Sequence, residues 1–187
     1  MPDTLVLLRV EHRNFLRVLD VLDGLAVTLR RTGAADPILL RQVMAYFQGY
    51  PECCHHPKED LVFRRLQELA PQDAARILNL EEDHEGIADI VAKTLERIGP
   101  YAKGPDPELA DALEDFAASY REHLWQEERE FFPMVESVLG PAEWAAIDFT
   151  LFDREDPVFD VRAEAYYREL RHAILEQDPP ASLGAEA

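Results

Sequence analysis

The sequence predicts an all-α fold, an antiparallel up-down-up-down four-helix bundle followed by a C-terminal helical extension. Apolar residues recur at spacings of three and four along most of the 187 residues, and strand-like alternation is absent. Helix caps and prolines also divide the chain into segments with short connections. Short connections make neighbouring helices antiparallel, which gives the predicted topology.

The first helix is predicted to run from Asp3 or Thr4 to Arg31. Gly33 follows the last periodic residue, as expected of a C-cap, and the arginines of the final turn complement the helix dipole. The helix therefore spans most of the predicted bundle. Its inward stripe is Leu5, Leu8, His12, Phe15, Leu19, Leu22, Ala26 and Leu29.

The second helix is predicted to begin at Asp36, an N-cap that precedes a proline at the first helical position. It extends to about Ala70. A proline inside a helix removes one hydrogen bond and clashes with the carbonyl four residues earlier. The segment is therefore predicted to kink or break around Gly49, Pro51 and Pro57.

The third helix is predicted from near Asp73 to Gly99, and the fourth from Asp106 to Gly140. These helices complete a bundle over residues 1–140. Residues 141–177 are predicted to form a helical extension, split into two helices around Asp156, and residues 178–187 a disordered tail. Two roles remain open for the extension: packing against the bundle, or a homodimer contact.

The composition excludes several classes of partner. The net charge is 19 − 37 = −18, which disfavours binding to nucleic acid and to anionic membranes. No apolar run reaches the length of a membrane helix, and the N-terminus lacks the features of a secretory signal. We therefore expect a cytoplasmic protein. Cys53 and Cys54 are adjacent, and adjacent residues on an α-helix point about 100° apart, so we expect reduced thiols.

Polar residues interrupt the apolar stripes of all four helices. His12, His84 and His123 each occupy a position where the pattern calls for an apolar residue. Glutamates follow two histidines by four residues and therefore share their faces, in the pairs His55 with Glu59 and His123 with Glu127. Counted from the connecting turns, the six residues lie within about one helical turn of the same level.

A single layer of histidines and glutamates inside a bundle requires a physical explanation. One buried histidine is ordinarily a hydrogen-bonded core residue, but two buried carboxylates without a cation would be very costly. Four imidazoles and two carboxylates suit two divalent transition ions bridged by the carboxylates, with open positions for a small ligand. The sequence therefore predicts a metal site with His12, His55, Glu59, His84, His123 and Glu127.

Neighbouring residues have more than one interpretation. His56 either binds a metal, because Pro57 distorts the helix beside it, or lies outside the coordination sphere. Tyr120 lies one turn before His123 and is either a core residue or a hydrogen-bond partner of a ligand. Three aromatic residues are expected to wall the site and exclude water: Phe63, Phe131 and Phe132.

Four features of the sequence together resemble the hemerythrin-like, HHE cation-binding domains. They are the lone histidine of helix one, HHPKED in helix two, the lone histidine of helix three and HLWQEEREFFP in helix four. The resemblance covers about residues 5–140. It implies a non-haem di-iron centre, with another divalent metal as the alternative. It also implies that the six residues above are ligands, and some members of the family have a further ligand at the position of His56.

Two departures from the oxygen-carrying members bear on function. Those proteins have two histidines in helix three, where this chain has only His84. They also have an aspartate five residues after the histidine of helix four, whereas in this chain Glu127 follows His123 by four residues. The resemblance therefore favours the bacterial branch associated with iron handling, nitric-oxide stress and oxygen sensing over reversible oxygen storage.

Three functions remain open from the sequence. The leading hypothesis is a protein that binds or senses oxygen or nitric oxide, or that handles iron under stress, without enzymatic turnover. The second is a di-iron oxidase or peroxidase. The third is a helical interaction module whose histidines are structural, which predicts that the purified protein holds no stoichiometric metal.

Overall fold

The structure, a computed structural model, describes residues 2–77, 80–99, 101, 104–150, 156–159 and 165–177, and the predicted tail at 178–187 lies outside these ranges. The described residues form helices and no strands, which confirms the predicted all-α class. The α-helices are α1 (Asp3–Thr32), α2 (Pro37–Tyr50), α3 (His56–Leu69), α4 (Pro71–Ala74), α5 (Leu80–Ile98), α6 (Pro107–Gln126), α7 (Phe132–Val138), α8 (Pro141–Thr150) and α9 (Arg168–Gln177).

Helix α1 ends as the sequence predicts. Gly33 adopts a left-handed conformation with φ of 65°, and its N–H donates to the carbonyls of Leu29 and Thr28. The Gly33 carbonyl in turn accepts hydrogen bonds from the Gly104 N–H at 2.9 Å and the Tyr101 hydroxyl at 2.8 Å. The connection after α1 is thereby tied to the connection after α5 at one end of the bundle.

The second predicted helix is distorted but not broken. A π-helical turn, Pro51–His55, joins α2 to α3, and the His56 N–H donates to the carbonyl of Pro51, five residues earlier. Pro57 cannot donate to the carbonyl of Cys53 and would clash with it in a regular α-helix. Widening the turn relieves that clash. The distortion predicted beside His56 therefore takes the form of a π-helical turn.

Cys53 and Cys54 lie in this π-helical turn and form a disulfide with each other. The expectation of reduced thiols is therefore wrong for this structure. That expectation assumed the angular spacing of adjacent side chains in a regular α-helix, and the wider turn does not keep that spacing.

The third predicted helix begins later than the sequence indicated. It was expected from Asp73, but the structure has the short α4 there and begins α5 at Leu80. The N–H groups of Arg76 and Ile77 bond to carbonyls three residues back, so the chain leaves α-helical geometry after α4.

The fourth predicted helix contains a second π-helical turn, Glu127–Phe131, between α6 and α7. The Phe132 N–H donates to the carbonyl of Glu127, five residues earlier, and Pro133 follows as Pro57 does after the first π-helical turn. Asp106 caps the start of α6 by accepting from the Leu109 N–H at 2.9 Å. Both helices that carry a His-x-x-x-Glu pair are therefore widened beside that pair.

The apolar core consists of two clusters. One surrounds Phe15, Phe47 and Tyr120, and the other surrounds Leu8 and Phe132 at the opposite end of the bundle. No helix in the described part of the chain is both long and apolar enough to cross a membrane. The division of the core is explained by the polar layer described below.

The C-terminal extension packs on the bundle, in agreement with one of its two predicted roles. Helix α8 contacts α1 and α3, and α9 contacts α1 and α2. The side chain of Asp156, in the turn between them, accepts from the Tyr46 hydroxyl at 2.8 Å. Gln42 accepts from the Leu170 N–H at 2.9 Å and donates to Glu169 at 2.6 Å.

We predict that Gly33→Ala lowers the free energy of unfolding by more than about 1 kcal/mol. A β-carbon at Gly33 would lie 2.0 Å from the carbonyl carbon of Gly104, and the residue has a positive φ. Gly49→Ala is the matched control, since its β-carbon meets nothing within 4 Å in helix α2. Denaturant titration of both variants measures the difference. Equal midpoints for Gly33→Ala and the wild type would contradict the prediction.

Candidate metal centre

The bundle brings all seven residues predicted as metal ligands into one buried layer. Helix α1 contributes one histidine, the first π-helical turn and α3 together contribute three residues, α5 contributes one, and α6 with the second π-helical turn contributes two. None is more than 7% exposed. The seven are His12, His55, His56, Glu59, His84, His123 and Glu127.

Glu59 lies between two groups of histidines. Its Oε1 is 3.4 Å from Nε2 of His12 and 3.3 Å from Nε2 of His55. Its Oε2 is 3.5 Å from Nε2 of His84 on the other side. The two oxygens of one carboxylate therefore face different histidines.

Glu127 repeats this arrangement from the opposite helix. Its Oε2 is 3.5 Å from Nε2 of His12, and its Oε1 is 3.6 Å from Nε2 of His84 and 3.1 Å from Nε2 of His123. Two donors bound at right angles to one metal ion, each about 2.1 Å from it, lie about 3 Å apart. The observed separations are close to that distance, so the donors need little movement to share ions.

The donor atoms form overlapping groups that could each hold a metal ion. One group contains His12 and His55 with both glutamates, and another contains His84 and His123 with the same glutamates. In each group the donor atoms lie within 4.8 Å of one another. The buried clusters are therefore consistent with a metal site, which the sequence predicted.

His56 faces the same cavity from the start of α3. It forms a third group with His84 and His123, and its ring stacks on that of His84 with a centroid distance of 3.9 Å. It is 3% exposed. The structure thus places His56 beside the His84 side of the layer, and it does not lie on the protein surface.

Four histidines have a carboxylate beside the ring nitrogen that faces away from the layer. Each Nδ1 lies 2.8 to 3.2 Å from its carboxylate, and such contacts orient an imidazole so that its other nitrogen faces a metal. The pairs are His12 with Glu128, His55 with Glu11, His56 with Glu52 and His84 with Asp60.

Sequence reasoning missed these four carboxylates. Glu11, Asp60 and Glu128 are direct neighbours of residues in the layer, so helical periodicity assigns them to another face. Glu52 precedes His56 by four residues, and this spacing was the one signal that could have identified it.

Glu11 is the most buried of the four, at 2% exposed. It accepts hydrogen bonds from the His55 ring at 2.8 Å and the Tyr50 hydroxyl at 2.8 Å, and it pairs with the buried Lys58 ammonium. Burial would raise the pKa of Glu11, but the bond from His55 and the charge of Lys58 hold it below its usual value. Glu11 is therefore an ionised hydrogen-bond acceptor that fixes the orientation of His55.

Unsatisfied polar atoms concentrate in the layer. Both oxygens of Glu59 and of Glu127 are buried without a hydrogen-bond partner among the described residues, and so are Nε2 of His84 and Nε2 of His123. Buried polar groups are nearly always paired, so such a cluster needs an explanation. Cations coordinated by these atoms would satisfy all of them at once.

Carboxylates raise the pKa values of three histidines in the layer, His12, His55 and His84. Burial alone would lower the pKa of His12, but Glu128 and Glu59 raise it to about 10. Burial also acts against the charged form of His84, but Asp60 and the buried glutamates raise its pKa to about 12. His12 and His84 therefore each carry a proton at pH 7 in the metal-free protein.

The pKa values of the other residues of the layer shift in different directions. Burial, reinforced by the negative charge of Glu59, raises the pKa of Glu127 to about 7. Burial would also raise the pKa of Glu59, but the charge of His55 holds it well below its usual value. Burial lowers the pKa of His56 and lowers that of His123 to about 3. The last two histidines are therefore neutral and keep a lone pair for a metal.

Aromatic residues lie beside the layer. Phe132 stacks on the His12 ring at a centroid distance of 5.1 Å, and Phe63 and Phe131 lie in the apolar cluster next to it. Tyr120 packs against Phe47 in the other cluster. Its buried hydroxyl has no hydrogen-bond partner among the described residues.

A comparison with protein families agrees with this geometry. The family model described as Hemerythrin HHE cation binding domain matches residues 3–135, a range that includes every residue of the layer. Neither the curated proteins nor the solved structures contain a significant match to the chain.

We predict that Glu11→Gln weakens metal binding by about 10- to 100-fold. The amide cannot accept from His55, Tyr50 and Lys58 together, so the His55 ring loses its fixed orientation. Competition with a chelator measures the affinity, and circular dichroism checks that the variant is folded. The exposed Asp115→Asn is the control for loss of one negative charge, and an unchanged affinity for Glu11→Gln would refute the role of Glu11.

We predict that metal binding at pH 7 releases at least two protons per chain, because coordination requires neutral imidazoles at His12 and His84, and His55, whose pKa is also raised, adds to the release. Their raised pKa values mean that affinity increases as the pH rises above 7 and decreases as it falls. Anaerobic calorimetry with Fe²⁺, in buffers of different ionisation enthalpy, counts the protons. A binding enthalpy that is the same in every buffer would contradict this prediction.

Proposed function

This chain belongs to the hemerythrin HHE cation-binding domain family, and from that premise we propose that it holds two iron ions and binds or senses a small ligand such as oxygen or nitric oxide. We propose His12, His55, His56, Glu59, His84, His123 and Glu127 as the ligands. Iron handling under stress by the same centre is part of this proposal, as is a cytoplasmic location.

One observation carries the proposal: both buried glutamates direct their two oxygens to different histidine groups. Glu59 and Glu127 reach the His12 side with one oxygen and the His84 side with the other. A carboxylate in this position can bridge two ions, whereas a single ion would leave half of the donor atoms unpaired. This favours a two-metal centre.

The donor sets on the two sides are unequal. His12 and His55 with two carboxylate oxygens give four donors on one side. On the other side His84 and His123 with two carboxylate oxygens also give four, and we propose His56, which lies beside these two histidines, as the fifth. Two histidines with carboxylate and open positions are typical of non-haem iron that reacts with diatomic molecules. We therefore propose that a small ligand binds on the His12 side.

The protein restricts what can reach that side. Phe132 stacks on the His12 ring and belongs to a buried apolar cluster, so this side of the centre is shielded from water. When bound, the iron pair supplies open coordination positions and the Fe(II)/Fe(III) couple. The chain supplies orientation through Glu11 and Glu128, which hold the two histidines by their outer nitrogens.

Oxygen storage is disfavoured within the family because α5 contributes one histidine. We propose that His56, which stacks on His84 from α3, provides the additional donor on that side. A donor from a different helix changes the geometry of the centre, so this chain need not share the reversible oxygen chemistry of the carriers.

Tyr120 favours a second candidate, a di-iron oxidase or peroxidase. Burial raises the pKa of its hydroxyl well above the usual value, and the charges of Glu127 and Glu59 add to the effect. The hydroxyl is therefore protonated, and it has no hydrogen-bond partner among the described side chains. Such a neutral hydroxyl could donate a hydrogen bond to an oxygen-derived ligand in the centre.

Metal analysis tests the proposal. Protein purified or reconstituted with iron is expected to hold about two irons per chain and to absorb in the visible range. Glu59→Ala and Glu127→Ala are each expected to lose stoichiometric iron because a bridging carboxylate is removed, while the exposed Asp115→Ala keeps it. Retention of two irons by both glutamate variants would refute the ligand assignment, and no iron in the wild type would refute the function.

Stopped-flow mixing of the reduced protein with oxygen or nitric oxide then separates the two candidates. A spectrum that returns to its starting form when the gas is removed supports binding or sensing. Repeated consumption of oxygen or peroxide supports the enzyme. No spectral response to either gas would refute small-ligand binding while leaving iron handling.

A further inference from the structure

A surface groove between α5 and α6 leads towards the metal centre. It has a volume of about 570 Å³, and its walls include Gly86, Ile87, Ala118 and Ser119. Small residues on both helices keep it open. His123 lies at its inner end, so one residue of the proposed centre is reached directly from the groove.

A narrow inner pocket continues this path. It shares Asp83, His123 and Gln126 with the groove and extends to Glu127. Glu127 is 1% exposed, and both of its oxygens lack a hydrogen-bond partner among the described residues. The groove and the pocket together therefore connect the surface with unsatisfied donor atoms inside the bundle.

The residues lining this path select for a cation. Asp83 and Glu122 line the groove, and Glu130 lines the inner pocket. The Gln126 amide donates to Glu122 at 3.1 Å and so holds that carboxylate at the groove. No lysine or arginine is among the described residues that line either space. Acidic walls of this kind raise the local concentration of cations.

A second groove, between α3 and α5, reaches the centre at His56 and His84, but it is less suited to a cation. Arg64 lines it and adds a positive charge. Two of its three carboxylates, Glu52 and Asp60, face the outer nitrogens of the two histidines, and the third is Glu85. Both paths reach histidine nitrogens without a hydrogen-bond partner among the described residues, but the path between α5 and α6 also reaches the carboxylate of Glu127, whose two oxygens lack one as well.

We propose that the groove between α5 and α6 is the uptake site for hydrated divalent metal ions, with Asp83 and Glu122 as the residues that capture Fe²⁺ before it reaches His123 and Glu127. This inference rests on the proposed function, since it requires the layer to hold metal. It assigns a task to residues that lie outside the layer and do not bind the finished centre.

A steric block tests the path. Gly86 lies in the groove, and a β-carbon there meets nothing within 4 Å, so Gly86→Leu fits the backbone while filling the groove. Gly49→Leu is the matched control, because Gly49 is also an open helical glycine but does not line the groove. Anaerobic Fe²⁺ is mixed with metal-free protein, and a colorimetric ferrous chelator added after increasing delays captures unbound ion.

Charge variants test the capture residues in the same assay. Asp83→Asn and Glu122→Gln are each expected to slow uptake, and the double variant to slow it by about tenfold at low salt. Glu85→Gln, which removes a carboxylate from the groove between α3 and α5, is the control and should load at the wild-type rate. High salt should reduce the difference between wild type and the double variant.

The outcomes distinguish failure of the uptake site from failure of the proposed metal centre. Slow uptake in Gly86→Leu and in the double variant, with the final iron content unchanged, supports the uptake site. Wild-type rates in both variants overturn it while leaving the metal centre intact. Slow uptake in Gly86→Leu alone also overturns the assigned capture of a cation by carboxylates. A wild-type protein that takes up no iron refutes the proposed function itself.

Discussion

The architecture depends on two carboxylates, Glu59 and Glu127, that lie close together in the buried layer of the bundle. Two negative charges buried side by side are tolerable only with positive charge between or beside them. Without metal, protons on His12 and His84 provide part of that charge, as the raised pKa values of both histidines require. Metal ions would replace those protons and also satisfy the unpaired oxygens, so charge balance and coordination favour the same arrangement.

Local backbone geometry orients the side chains of this layer and aligns the helices that carry them. Both His-x-x-x-Glu pairs lie next to a π-helical turn, and in both cases a proline follows at the second residue after the turn. A proline that cannot bond to the carbonyl four residues earlier makes the wider turn favourable, and the wider turn rotates the side chains that follow. At the far end of the bundle, the bond between Gly33 and Gly104 ties together the turns that set the axial positions of α1, α5 and α6.

The sequence could predict what depends on periodicity and could not predict what depends on local distortion. His12 and His84 were identifiable because an apolar stripe makes a polar residue on it conspicuous. Glu11 has no such signal, because its neighbour His12 occupies the inward position, and only the three-dimensional approach of α3 makes Glu11 a buried partner of His55. The side on which His56 lies also depended on the form of the helix distortion. The disulfide and the late start of α5 were missed because both arise where the chain leaves α-helical geometry.

The two proposals together place metal uptake and ligand binding at different sides of one centre. The groove between α5 and α6 is lined by His123, on the side for which five donors are proposed, whereas the open positions are proposed beside His12, on which Phe132 stacks. An ion that arrives at His123 meets Glu127 next, and that carboxylate also contacts His12. Glu127 therefore contacts a histidine on each side and could hold an ion on either.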